Sequence, residues 1–374
     1  MSRIIISPDS FKGTITGEDA AAALRAGWAS VAPDDEVILL PQADGGEGTC
    51  EVIANAVPDA QWRQTDHAVT GPDGRPVPGR WVVLPGGEAV VELAIPSGLP
   101  LMKAKDPRGA QTRGLGQVLR AAVEAGATKL SVGLGGSAST DGGVGALREL
   151  GARFLTEDGD EISDGGRGLT ELASIDSSEL IEAPTGGVRL LCDVTSPLTG
   201  PTGSAAIFGP QKGATPDDVA YLDDALGHLA QVAGGDPDYP GTGAAGGTAY
   251  GLMTLWGASI VSGAQEVAKL TGLADELSRA DLAITGEGSF DVSSLAGKAV
   301  ATIIDAAATT HTPCAVVAGA FTTEGSQALD RRGIARISLT ELAGSASRAM
   351  AEPAYFLEMA AAQLARDFHR PEQA

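Results

Sequence analysis

Five short apolar runs, each passing through a loop into a helix, constrain this chain more than any other feature. Strands with no polar face are buried only in a parallel sheet covered on both sides. Residues 3–7 form the first run, the loop Pro8-Asp-Ser-Phe-Lys12 follows, and a helix is predicted over about 17–30. Residues 36–41 form the second, with a loop at 42–48 and a helix to about Ala56. The pattern resumes far along the chain: a strand at 281–285, a loop at 286–293 and a helix over about 297–309. A strand at 313–318 precedes a helix near 324–332, and a last strand at 335–339 precedes a closing helix over 352–369. Two units before a long interruption and three after it predict the flavodoxin-like strand order 2-1-3-4-5.

The interruption, residues 67–279, reads as a second, mixed α/β domain. Hairpin-like segments turn at Gly71-Pro-Asp-Gly74 and Pro85-Gly-Gly87; a helix near 115–125, strands at 129–134 and 188–192, and helices near 216–232 and 246–258 follow. The expected division is therefore a discontinuous domain of residues 1–66 and 280–374 and an insert of residues 67–279, with the functional site in the cleft between them. The length of 374 residues suits two domains of about 150–200 residues each.

A formal net charge of −22 and no basic cluster exclude nucleic acid as a partner. An anionic ligand must then be met by local cations or a metal. Lysine is scarce, and three of the seven lysines, Lys12, Lys212 and Lys298, fall in or beside glycine-rich segments. Cys50, Cys192 and Cys314 share no disulfide or zinc spacing, and His67, His228, His311 and His369 show no metal spacing. With no signal-type leader and no apolar run of membrane-spanning length, a cytoplasmic protein is expected.

Glycine mixed with charged side chains recurs in five blocks: Asp44-Gly-Gly-Glu-Gly-Thr49, Gly135-Gly-Ser-Ala-Ser-Thr-Asp-Gly-Gly143, Gly209-Pro-Gln-Lys-Gly-Ala214, Gly241-Thr-Gly-Ala-Ala-Gly-Gly247 and Thr285-Gly-Glu-Gly-Ser-Phe-Asp291. Glycine lets backbone N–H groups approach a ligand closely, and carboxylates beside it can hold a divalent cation or accept a proton. Ligands of open parallel sheets bind beyond the carboxyl ends of the strands. That rule brings Asp9, Lys12, Asp44, Glu47, Glu287 and Asp291 toward one rim. Asp193, just past an apolar strand, is a candidate base or metal ligand, and Lys212 can reach a phosphate as a point charge. Gly133-Leu-Gly-Gly-Ser-Ala138 fits the G-x-G-x-x-A dinucleotide pattern, so a nicotinamide-dependent oxidoreductase remains an alternative. Gly241-Thr-Gly-Ala-Ala-Gly246 follows no strand, and close packing of small residues accounts for it as well as a ligand does. No Walker loop and no protein-kinase motif set is present.

Taken in order, these segments resemble the bacterial type-1 glycerate kinase family. The matches are Pro8-Asp-Ser-Phe-Lys-Gly13, Ala43-Asp-Gly-Gly-Glu-Gly-Thr49, Gly133-Leu-Gly-Gly-Ser-Ala138 with Asp141-Gly-Gly143, Cys192-Asp-Val194, Phe208-Gly-Pro-Gln-Lys-Gly-Ala214, Gly243-Ala-Ala-Gly-Gly247, and Thr285-Gly-Glu-Gly288 with Asp291 and Gly297-Lys298. The resemblance implies ATP- and Mg²⁺-dependent phosphorylation of D-glycerate at its 2-hydroxyl, on a flavodoxin-like domain interrupted by a second α/β domain. Under it, Gly135, Gly136, Gly243, Gly246 and Lys212 are expected to cradle the ATP phosphates, and Asp193, Glu287 and Asp291 to hold Mg²⁺. Lys12, Ser10 and Ser137 are expected to hold the glycerate carboxylate, with Asp9 and Glu47 also on the substrate. Asp44 is the expected base, with Asp193 second. Ser289 stands where that family commonly has arginine, which keeps a related hydroxy acid, or a non-catalytic sugar-acid sensor, open as alternatives. The expected partners are glycerate and ATP, with a homodimer possible and neither nucleic acid nor a membrane involved.

Overall fold

Ile4, Ile5 and Ile6 are all fully buried, so both faces of the first strand must be covered. The computed structural model, which describes residues 1–11, 13–295 and 299–370, shows how. The chain divides into two units: Met1–Asp44 with Ala264–Ala374, and Gly45–Gly263.

In the first unit five parallel strands lie in the order Glu36–Leu39, Arg3–Ile6, Leu282–Phe290, Cys314–Phe321, Ala335–Ser338, which is the predicted 2-1-3-4-5. Ile4 pairs with Leu282 on one side and Val37 on the other. Alternate side chains point to opposite faces. Ile4, Ile6, Ile284 and Val317 pack under the helices Gly17–Ala29 and Pro353–Phe368 through Leu24, Trp28, Phe356 and Leu357. Val316 and Ala318 pack on the opposite face against Val300, Ile304 and Leu329. The two helices cross in backbone contact at Gly27, where a Cβ would lie 2.1 Å from the Glu358 carbonyl oxygen.

One departure bears on the site. The loop expected at 286–293 begins late, because the strand continues through Gly286, Glu287, Gly288 and Ser289 to Phe290. Gly286, Glu287, Ser289 and Phe290 pair with Val317, Ala318, Ala320 and Phe321 of the neighbouring strand. The glycines serve that pairing: a Cβ on Gly286 would meet Val317 O at 2.1 Å, and one on Gly319 would meet Gly288 O at 2.3 Å. The following helix is described over Ala299–Thr309, and the expected start at Gly297 and Lys298 lies outside the described residues.

The second unit has a six-stranded mixed sheet. Ser259–Val261, Val188–Leu191, Lys129–Gly133 and Glu88–Glu92 run parallel, and Arg80–Val83 and Gln61–Gln64 close it antiparallel. Gln61–Gln64 is exposed at all four positions, so no apolar pattern announces it as a strand. Leu93, Leu115, Leu130, Val132, Leu147, Phe154, Leu190 and Tyr250 belong to one core. Among the described residues no helix is long and apolar enough to cross a membrane.

Candidate active site

Four of the five glycine blocks meet inside the second unit. Gly45 has φ +90, and a Cβ there would lie 2.3 Å from Leu191 O; a Cβ on Gly135 would lie 2.4 Å from the Gly46 Cα. Gly135 N donates to Gly45 O at 3.0 Å, so the turns at 45–48 and 133–136 lie backbone to backbone. That contact forms at the carboxyl ends of Lys129–Gly133 and Val188–Leu191, where parallel strands present loops to ligands. Gly246 packs on the other side of the same segment: a Cβ would sit 2.0 Å from Ser139 O, and Gly246 O accepts from Gly142 N at 3.0 Å. Gly243 is pressed against Pro197 O in the same way, at 2.2 Å.

The third block enters through its lysine. Lys212 is 2% exposed, and its Nζ donates to Ser137 Oγ at 2.9 Å and to Ser139 O. The Ser139 hydroxyl beside this contact is buried with no hydrogen-bond partner among the described residues. Burial pulls the Lys212 ammonium down to about 8, and the charge of Asp141 resists that fall. Gly136 and Glu47 face solvent and Gly135 is half-buried, whereas Gly243 and Gly246 are buried. The last two are thus committed to packing loop on loop, as is Gly135 through Gly45 and Gly46, and the exposed glycine of the four is Gly136.

Asp193, half-buried after the Val188–Leu191 strand, accepts from Ser262 Oγ at 2.8 Å and Gly263 N at 3.0 Å through Oδ1. The dinucleotide turn weighed as an alternative is not formed. A Rossmann helix opens on its glycine turn, but here the helix after Gly133 begins only at Val144 and runs six residues to Glu149. Ten residues of turn, organised by Asp141, come between.

Two buried acids escaped the sequence reading as functional groups. Asp141 is fully buried and accepts from Thr112 N, Thr112 Oγ1, Gly143 N and Gly145 N. Glu92, 3% exposed at the end of the strand Glu88–Glu92 after the apolar run Ala89–Val91, accepts from Gly48 N and Cys50 N at 3.0 Å each. It thereby ties the first glycine turn to the start of the helix Thr49–Ala56. An acid closing an apolar run was its one signal.

Burial lifts Glu92 to about 7; the two N–H donors oppose this, and Glu51 and Glu47 push it further up. With its folded pKa above the ordinary 4.5, the folded state binds the extra proton between those values. Stability from this group is therefore lost as pH rises from about 4.5 to about 7. In Glu92→Gln the fall in unfolding free energy between pH 5 and pH 8, read by urea denaturation, is expected to shrink by about 2–3 kcal/mol. Parallel pH dependences in both proteins would refute the assignment.

In the first unit the loops after adjacent strands are joined: Asp9 N donates to Gly286 O at 2.9 Å and Gln42 N to Pro8 O at 3.1 Å. This brings Asp9 and Ser10 beside the Glu287 strand, with Asp9 Oδ1 accepting from Ser10 N. Asp44 ends this unit's first segment, and Glu47, expected on the same rim, belongs to the second unit. Lys12 lies outside the described residues. Asp291 caps a turn through Ser293 N and Ser294 N. Three residues, Gly288 to Phe290, separate it from Glu287, and they continue the extended strand. Among the described residues no three His, Cys, Asp or Glu side chains form a ligand set.

Glycine turns lie beyond the ends of parallel strands, with the buried Lys212 ammonium bonded to one of them. The family model described as the glycerate kinase family matches residues 4–369, and the chain belongs to that family. It is 40% identical over 342 residues to a glycerate kinase of Bacillus subtilis, covering 89% of this chain and 88% of the relative. It is 39% identical over 330 residues to a glycerate 2-kinase of Escherichia coli, covering 86% of each. A crystal structure assigned to glycerate kinase 2 of Salmonella typhimurium LT2 superposes with a TM-score of 0.82 at 34% identity, covering 98% of both chains.

Proposed function

We propose that the chain transfers the γ-phosphoryl group of ATP to the 2-hydroxyl of D-glycerate, giving 2-phosphoglycerate and ADP. The observation that carries this reading is the buried Lys212 on the Ser137–Ser139 turn, in a chain matched by the glycerate kinase family over nearly its whole length. Phosphoryl transfer asks mainly for positioning and charge neutralisation. Two of the three Lys212 protons are taken by Ser137 and Ser139, so the third is left for a phosphate oxygen near the exposed Gly136. Gly243 and Gly246 support that turn from behind.

On the acceptor side, Ser10, Asp9 and Lys12 orient the acid, and Ser137 and Glu47 offer further contacts to it. Asp44 takes the proton of the attacking hydroxyl as its oxygen bonds to the γ-phosphorus and the bond to the ADP oxygen breaks. Asp193 is the second candidate for that proton. Mg²⁺, when bound through Asp193 or one of Glu287 and Asp291, would neutralise phosphate charge.

The test is ADP release from Mg·ATP across a panel of small hydroxy acids, with NAD(P)H absorbance followed in parallel and the product identified by ³¹P NMR. Turnover on D-glycerate with a 2-phosphate product is expected. Turnover only on another hydroxy acid, a 3-phosphate product, or an absorbance change without ADP release would each replace the reading.

A further inference from the structure

The geometry points to Glu92 as a positioning residue for the acceptor side of the site: its carboxylate fills the start of the helix Thr49–Ala56, fixes Glu47 over Gly136 and keeps phosphate off the first glycine block. A glycine turn that opens a helix is where phosphates commonly bind, because the first N–H groups of the helix have no partner within it. Here those groups are taken. Gly48 N donates to Glu92 Oε1 and Cys50 N to Glu92 Oε2, each at 3.0 Å, and Thr49 N donates to Gly46 O at 3.3 Å. Both oxygens of one buried carboxylate thus lie on the positive end of the helix. An incoming phosphate would meet this charge and the Glu47 carboxylate beside it. The first block therefore does not hold the ATP phosphates, although its sequence has the look of a phosphate loop.

The sheet holds Glu92 in turn. It pairs with Gly133, and the next residue donates from Leu93 N to Gly133 O at 2.9 Å. Gly133 leads into the second block, whose Gly135 N donates to Gly45 O. Glu92 accordingly reaches from the strand beside the second block to the turn of the first. One residue before Gly48, the exposed Glu47 lies over Gly136: a Cβ on that glycine would meet Glu47 Oε1 at 2.7 Å and Glu47 Cγ at 3.0 Å. Gly48 has φ +87, so the chain turns between Glu47 and the helix, and the bond to Gly48 N sets where Glu47 stands. That Glu47 touches the hydroxy acid rests on the proposed function; the hold of Glu92 on the turn does not.

The experiment compares full-length Glu92→Gln with wild type at pH 8, above the value of about 7 to which burial lifts Glu92. Glutamine keeps the shape, but its amide oxygen accepts one N–H and its NH₂ group faces the other. Hydrogen exchange in the ligand-free protein, read by mass spectrometry, should quicken about tenfold across residues 47–52, the effect of one lost hydrogen bond, and hold its wild-type rate across 137–142. KM for D-glycerate should rise about tenfold and kcat should fall, as displaced contacts require, while Kd for ATP is unchanged. Glu47→Gln should raise KM for D-glycerate without altering exchange, and the two effects on KM should not add in the double variant. A merely structural role would weaken both ligands together. Unchanged exchange in Glu92→Gln, or a Kd for ATP that weakens as much as KM for D-glycerate, would overturn the proposal. If Glu92→Gln fails to fold, Glu92→Asp, which keeps the charge one methylene shorter, should fold and show the same split; a chain that folds with neither substitution overturns it equally. Should the protein not phosphorylate D-glycerate, the proposed function falls, and exchange together with the Kd for ATP still decides the role of Glu92.

Discussion

Asp44→Asn is expected to lower kcat for ADP formation from ATP and D-glycerate by about 10²–10⁴-fold, the range that a positioned general base contributes. The substitution keeps size and hydrogen-bonding shape and removes the ability to take a proton. Asp44 lies two residues after Gln42, whose N–H is fixed to Pro8 O, and it is half-buried. Thermal midpoint and far-UV circular dichroism should match wild type, and KM for ATP should change little, because the proton moves only in the transition state. A variant retaining most of its turnover would remove Asp44 from this role and pass it to Asp193, whose Asn variant is the paired measurement.

Gly246→Ala is expected to be the most damaging single-methyl addition in the second unit. The position has φ +71, and the new Cβ would lie 2.0 Å from Ser139 O and 2.7 Å from the Thr140 Cα, both backbone atoms with no rotamer to change. Left-handed strain costs about 1–2 kcal/mol, and displacing packed backbone adds more, for an expected loss of about 3 kcal/mol or more in urea denaturation. Since Ser139 O is an acceptor for Lys212, ATP binding should fall with stability. Gly48→Ala is the control. Its φ of +87 carries the same conformational strain, but nothing lies within 4 Å of the added carbon, so about 1–2 kcal/mol is expected. Equal losses in the two variants would mean that backbone strain, not the loop-on-loop contact, makes Gly246 necessary.

The split sheet was legible because its strands are apolar on both faces. Ile4 to Ile6, Ala283 to Ile284 and Ala315 to Val317 announce themselves without reference to any partner. The run through Gly286, Glu287 and Gly288 was misread as a loop because glycine signals a turn when seen alone. Here it signals a neighbouring backbone too close for a Cβ. Gln61–Gln64 gave no signal at all, since an exposed edge strand has nothing to bury. In the site, Lys212, Ser137 and the glycine blocks were recognisable by type. Their grouping was not, because Lys212 and Ser137 are 75 residues apart.

The order and burial of apolar runs, together with the charged glycine blocks, determined by themselves the parallel split sheet, the interruption and the family. Those properties depend on side-chain hydrophobicity and backbone preference, which each residue carries wherever it stands. Only the tertiary structure decided which glycines face open space and which touch another backbone, that Lys212 is buried on the Ser137–Ser139 turn, and that Asp141 and Glu92 are buried acids. Desolvation and hydrogen bonding set the charge and position of such groups, and both are made by residues distant in the chain.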